Sequence, residues 1–243
     1  MTLDYFDIKI KDLISSYGAN LILNTCIANA NPLFCSYVHR DATGSLWLSE
    51  QGYVDDPTLN LGSESTKGLD VAAGYRLDAG KAGRFDFEMN GTYYFDFLTE
   101  PFPGSGEYNC AGYYGNTCTN PQPKWRHRLR STWVTPVESL NVSLQWRHFN
   151  SVVDDVLSPN PLLHGGTPHQ LDAHLSSRDY LDLSVGYQVV KGVTARLGIN
   201  NLLDKDPPII SSATSGGFSN GNTYPTVYDT LGRYVFLNLT ADF

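Results

Sequence analysis

The sequence predicts an all-β chain of antiparallel, up-and-down strands, and three observations carry that prediction. Apolar and polar residues alternate with a period of two through most of the chain, the spacing of side chains on opposite faces of a pleated strand. The composition leans the same way, since 15 Tyr and 11 Phe against only two Met suit half-buried pleated surfaces better than helical cores. The connections between alternating runs are short and long by turns, and the long ones are rich in Gly, Pro and Asn.

From the amino terminus, a first strand over about residues 2–10 sets Phe6, Ile8 and Ile10 against Asp7 and Lys9. The long connection at about 11–59 has room for one helix within 12–30 and a small hairpin from Val38 to Leu48, turning at Asp41-Ala42-Thr43-Gly44. A second strand at about 60–78 shows Leu69, Val71, Ala73, Tyr75 and Leu77 opposite Asp70, Ala72, Gly74 and Arg76. The turn Ala79-Gly80-Lys81-Ala82 leads to a third at about 83–97, where Phe85, Phe87, Met89, Tyr93 and Phe95 oppose Arg84, Asp86, Glu88, Asn90, Thr92 and Asp96. After a loop at about 99–123, the strand at about 124–134 sets Trp125, His127, Leu129 and Trp133 against Arg126, Arg128, Arg130 and Thr132. Pro136 marks the turn into a strand at about 139–149, with Leu140, Val142, Leu144 and Trp146 on one face. A loop at about 151–177 precedes strands at about 178–190 and 193–203, which only Lys191-Gly192 separates, a tight hairpin. The last loop, about 205–231, gives way to a strand at about 232–243 with Val235, Leu237, Leu239, Ala241 and Phe243 on one face and Tyr234, Phe236, Asn238 and Thr240 on the other.

All the long connections emerge at one edge, which is the layout of an outer-membrane β-barrel. A tilted run of about 10 to 12 residues also covers a hydrocarbon layer of about 25 Å. Alternation alone does not say which face is wet, because a soluble barrel or sandwich shows the same period. Tyr and Trp recur near strand ends, at Trp125, Trp133, Tyr75, Tyr180, Tyr187 and Tyr234, as interfacial girdles do, and this favours lipid outside. No stretch approaches the roughly 20 apolar residues of a spanning helix, and the mean hydropathy is −0.26.

With 243 residues, 41% of them hydrophobic and 17% charged, the chain is neither coiled coil, collagen nor disordered tail. Its net charge of −8 makes a nucleic-acid backbone an unsuitable partner. The opening Met1-Thr2-Leu3-Asp4-Tyr5-Phe6-Asp7 is acidic and already alternating, unlike a secretory leader. Cys26 with Cys35 and Cys110 with Cys118 lack C-x-x-C spacing and sit in loop-like segments, so two short loop-closing disulfides are expected. Such disulfides point outside the cytosol, and with an opening unlike a leader they predict a piece of something longer.

Arg126, Arg128 and Arg130 project from one strand face and are candidates to contact an anionic substrate or an acidic plug; ion pairing with Asp86, Glu88 and Asp96 is the structural alternative. Tyr108, Tyr113 and Tyr114 flank the Cys110–Cys118 loop and are candidates to stack on a sugar or aromatic ligand, against simple loop packing. His164, His169 and His174 recur every five residues in a Gly/Pro loop, a spacing that presents no shared face to a metal, and no metal site is expected. No catalytic or nucleotide motif is present, so neither an enzymatic role nor a cofactor is expected.

The closing stretch Gly221-Asn222-Thr223-Tyr224-Pro225-Thr226-Val227-Tyr228-Asp229-Thr230-Leu231-Gly232-Arg233-Tyr234, with the strand ending in Phe243, resembles the carboxyl-terminal signature of the TonB-dependent receptors of the Gram-negative outer membrane. Asn200-Asn201-Leu202-Leu203-Asp204-Lys205-Asp206-Pro207-Pro208 is similar to that family's penultimate-strand motif, and Asp4-Tyr5-Phe6-Asp7-Ile8-Lys9-Ile10, Ser65-Thr66-Lys67-Gly68-Leu69-Asp70 and the Cys26 to Cys35 loop also resemble receptor segments. The resemblance implies a barrel of about 22 strands, of which this chain supplies about eight as the carboxyl-terminal third. The plug, the TonB box and about fourteen strands lie outside it. Implied partners are outer-membrane lipid, the missing parts of the same protein, and the barrel-assembly machinery, for which Tyr234, Phe236 and Phe243 form the signal. The TonB complex is reached only through the missing part. The implied role of the whole is energy-dependent uptake of a scarce nutrient, siderophore-iron, cobalamin or oligosaccharide. A complete eight-stranded barrel or passive pore is the second reading, but eight strands enclose only packed side chains, whereas this inner face carries charges and Gly74, Gly186 and Gly198. A soluble ligand-binding β-barrel is the third.

Overall fold

The computed structural model describes residues 1–163, 167, 172–211 and 222–242. Eight long strands lie side by side in chain order: β1 (Thr2–Ser15), β2 (Leu59–Asp78), β3 (Arg84–Glu100), β4 (Trp125–Val134), β5 (Leu140–Phe149), β6 (Arg178–Val190), β7 (Val193–Asn200) and β8 (Tyr234–Ala241). β1 and β8 are the two edges of this open sheet. The chain divides into two compact units, one of Met1–Ile8, Thr66–Phe97 and Asn109–Phe243, the other of Lys9–Ser65 and Leu98–Tyr108.

In the first unit the register fixes the faces. β3 pairs antiparallel with β4 through Phe85↔Trp133, Glu88↔Arg130 and Thr92↔Arg126, and β4 with β5 through Arg128↔Arg147 and Trp133↔Val142. β5 continues to β6 through Gln145↔Asp182, β6 to β7 through Val185↔Leu197, and β7 to β8 through Leu197↔Leu237. Since a pleat sends successive side chains to opposite sides, one face gathers Phe85, Trp133, Val142, Leu144, Val185, Leu197 and Leu237, and the other Glu88, Arg126, Arg128, Arg130, Gln145, Arg147 and Asp182. The apolar face is uncovered: Leu197 is 52% exposed, Leu237 65% and Tyr75 65%.

Three tight turns join hairpins. Gly83 closes the β2–β3 turn at φ +90°, its backbone against Val134 of β4, and Gly192 makes the Lys191-Gly192 turn at φ +83°, its carbonyl accepting from Asp242 N–H. Both conformations favour a residue without Cβ.

A buried core lies not in the sheet but in the loops of this unit. Short strands Tyr113–Tyr114, Val152–Asp154 and His174–Leu175 form their own small sheet. On it Tyr114, Val152, Leu175, Ile210, Tyr224 and Tyr228 close into one cluster, every member 3% exposed or less. Cys110 is joined to Cys118 within the same loops.

The second unit holds α1 (Ala19–Asn29) and α2 (Pro32–Ser36), with Cys26 joined to Cys35 between them. Asn31 caps α2 by accepting from Leu33 N–H, and Pro32 opens it. Tyr17, Phe34 and Phe102 pack edge to face.

Several expectations need correction. β1 extends to Ser15, so Asp12-Leu13-Ile14 is strand, and the helical region is two helices beginning at Ala19. Val38–His39 pairs with Tyr53–Val54 rather than returning within 45–48. The cause is Asp41, whose carboxylate accepts from Thr43 N–H, Thr43 Oγ1, Ser45 N–H and Ser49 Oγ and closes 41–45 into a capped turn with no return strand. β1 also inverts the assigned faces. Phe6 lies over Gly68 and edge-on to Tyr94, on the polar side of the sheet, while Tyr5 meets Phe95 on the apolar side. Tyr180 and Tyr234 are not girdle residues: Tyr180 is buried beneath the loops, and Tyr234 stacks with Phe236 on the polar face.

Candidate functional site

The polar face of β4–β8 is the candidate site. Alternation places Arg126, Arg128, Arg130 and Thr132 there from β4, Ser143, Gln145 and Arg147 from β5, Asp182 and Ser184 from β6, and Arg196 and Asn200 from β7. A cavity of about 580 Å³ opens on this face, lined by Arg130, Ser143, Gln145, Asp182 and Arg196 among others.

The expected pairing of the arginine row with Asp86, Glu88 and Asp96 does not form. Asp86 is taken by Arg76 (2.8 Å) and Arg84 (3.1 Å), and Asp96 accepts from Asn109 Nδ2 at 2.7 Å. Glu88 stands opposite Arg130 in register, yet Arg130 turns the other way and donates to Gln145 Oε1 at 2.9 Å. Arg126 donates to Tyr94 Oη at 3.2 Å and lies 5.8 Å from that ring. Arg128 has no hydrogen bond or ion pair among the described residues, and its cross-strand neighbour is Arg147. The row is therefore exposed cationic surface with at least three of the five N–H donors of each guanidinium free among the described residues, the kind of array that a planar or multidentate anion satisfies.

Arg147 plays a different part. Its guanidinium donates to both oxygens of Asp182 (2.8 and 2.9 Å) and both of Asp229 (3.0 and 2.6 Å), and lies 5.0 Å from the Tyr180 ring. Asp182 also accepts from Asn201 N–H and Gln145 Nε2. This double fork fastens the segment carrying Asp229 to the wall of the sheet, where a second concavity of about 440 Å³ separates them. Sequence reasoning missed it, because Arg147 and Asp229 are 82 residues apart. The inward parity of Arg147 was the only available signal.

The tyrosines divide. Tyr108 and Tyr113 are half-buried, but Tyr114 is fully buried. Its hydroxyl donates to the Asp172 carbonyl, its ring is edge-on to Tyr224, and burial pushes its phenol far up. Tyr114 is a core residue and offers no ring to a ligand. Of the histidines, His174 is exposed, while His164 and His169 lie outside the described residues, as does Phe243. Among the described residues no group of three or more His, Cys, Asp or Glu is arranged to hold a metal. Phe236 is half-buried over Gly198 and Tyr234 is exposed beside it, both on the polar face of an edge strand.

Comparison with known proteins sets this geometry in context. A family model for the TonB dependent receptor-like beta-barrel matches residues 1–202. The fold is similar to a mutant of the ferric enterobactin receptor PfeA of Pseudomonas aeruginosa, with a TM-score of 0.59 at 15% identity over 99% of this chain and 28% of that one. It is also similar to the siderophore receptor PirA of Acinetobacter baumannii (TM-score 0.52, 18% identity, 99% and 29%) and to the FrpB iron transporter of Neisseria meningitidis (0.51, 11%, 98% and 28%). The chain thus spans under a third of the length of these receptors. No curated protein sequence matches it.

Proposed function

The chain belongs to the TonB-dependent receptor β-barrel family, and from that premise we propose that it is the carboxyl-terminal third of an outer-membrane receptor for energy-dependent uptake of a scarce nutrient. The observation that carries this reading is the division of the sheet. One face holds large apolar side chains in the open, and the other holds arginines, carboxylates and amides. In water that arrangement wastes the apolar face, but around a lumen with lipid outside both faces are satisfied. The remaining strands and the plug would come from other parts of the same protein, as would the segment that engages TonB. Of siderophore-iron, cobalamin and oligosaccharide, the under-satisfied Arg126, Arg128 and Arg130 favour a ferric chelate carrying negative charge. The names carried by PfeA and PirA point to the same class of cargo. The aromatic face of Tyr113 is a secondary candidate for contact.

Growth of a strain deleted for the full-length gene tests this. Failure under iron limitation, with normal growth under carbon limitation, is expected; the reverse moves the assignment to a sugar, and parental growth under both removes it. In the complementing receptor, Arg128→Gln is expected to weaken binding of an anionic ferric chelate roughly tenfold, about 1.4 kcal/mol, with barrel assembly unchanged.

A further inference from the structure

The loop core contains a second feature that cargo transport does not require. Asp154 and Asp155 are adjacent, 2% and 0% exposed, and sit where three loops meet. Asp155 Oδ2 accepts from Thr117 N–H (2.8 Å) and Cys118 N–H (2.7 Å), holding the Cys110–Cys118 loop, while Asp154 accepts from Val156 N–H. Among the described residues Asp155 Oδ1 has no donor, and it packs so close to Gly115 that a Cβ there would overlap it. No Lys, Arg or His lies within ion-pairing distance of either carboxyl among the described residues. The groups facing them from the surrounding segments are Tyr114, Asp172 and Tyr224, all acids or phenols, and the Tyr224 hydroxyl has no partner among the described residues.

Two ionised carboxylates here would be a buried like-charge pair in which Asp155 Oδ1 also lacks a donor among the described residues, which is costly. One added proton relieves the repulsion, since a neutral Asp154 beside Asp155 donates a hydrogen bond to its carboxylate. We propose that Asp154 holds a proton that it donates to the Asp155 carboxylate, and that this proton fastens the three outer loops together at low pH and releases them as pH rises. Burial first, opposed by the Val156 N–H, and then the neighbouring Asp155 and Asp172 carboxylates hold the Asp154 acid above the ordinary carboxyl range. The sign follows. The folded loops bind this proton more tightly than the unfolded chain, so its contribution is complete below the ordinary carboxyl value and lost as pH rises through the folded-state one.

Hydrogen exchange on the full-length receptor in detergent tests this, with each peptide's rate at each pH divided by its rate in the unfolded protein. Peptides from 109–123, 150–163 and 222–233 are expected to lose protection severalfold between pH 4.5 and 8.5, while β4–β5 peptides stay level. Asp154→Asn, a permanently neutral donor, is expected to keep the acid level of protection at every pH. A level wild-type profile overturns the proposal, and so does a wild-type slope that survives in Asp154→Asn. Should that variant not assemble, the wild-type profile alone decides.

Discussion

The sheet and the loop core are made of the same residue types and use them in opposite ways. In β2–β8 the Tyr, Leu and Phe side chains line an uncovered face, Tyr75 at 65% and Leu237 at 65% exposure, whereas in the loops Tyr114, Tyr224 and Tyr228 are sealed at 3% or less. One chain with a mean hydropathy of −0.26 thus presents an open apolar face on its strands and a sealed apolar core in its loops. On the proposed membrane reading, burial within the chain is no measure of which side chains matter, because the exposed ones complete their packing against hydrocarbon.

Four substitutions in the full-length protein sharpen or break this contrast. Tyr114→Ala empties the loop core and is expected to cost about 4 kcal/mol there, read as lost exchange protection in the loops while the sheet keeps its resistance to detergent denaturation. Leu197→Arg puts a charge on the apolar face and is expected to cost about 3 kcal/mol of folding stability in lipid vesicles. A loss below about 0.5 kcal/mol, the usual figure for a water-exposed site, would mean that the face meets water and would end the membrane reading. Arg147→Met leaves Asp182 and Asp229 without their cation and is expected to cost about 2 kcal/mol, less than a deeply buried pair because solvent reaches it. The loss should appear as faster exchange in 222–233. Arg76→Gln removes a surface partner of Asp86 and is expected to leave urea unfolding unchanged, since Arg76 is 70% exposed.

The strands were legible because a period of two is a local property, readable within ten residues. Which side of a strand meets lipid is not local. Phe6 and Ile8 have the alternation of a lipid-facing stripe, yet the register with β2 turns Phe6 inward over Gly68. The arginine row was legible as a row, but its freedom was not. That depends on Arg76 and Arg84 capturing Asp86 first and on Gln145 drawing Arg130 away. The loop core was least visible, since Tyr114, Val152, Leu175, Ile210 and Tyr228 come from separate loops with no shared periodicity.

Phe6 over Gly68, Trp125 over Gly91 and Phe236 over Gly198 each set a ring across the bare backbone of the adjacent strand. Hydrophobic alternation penalises a slip of one residue, which turns every side chain to the wrong side, but is blind to a slip of two. A ring that fits only above a missing Cβ detects the even error as well, because two positions along it collides with a side chain. These three seats at the β1–β2, β3–β4 and β7–β8 seams act as alignment gauges, able to reject a strand that has zipped up out of step while looking correct from both sides.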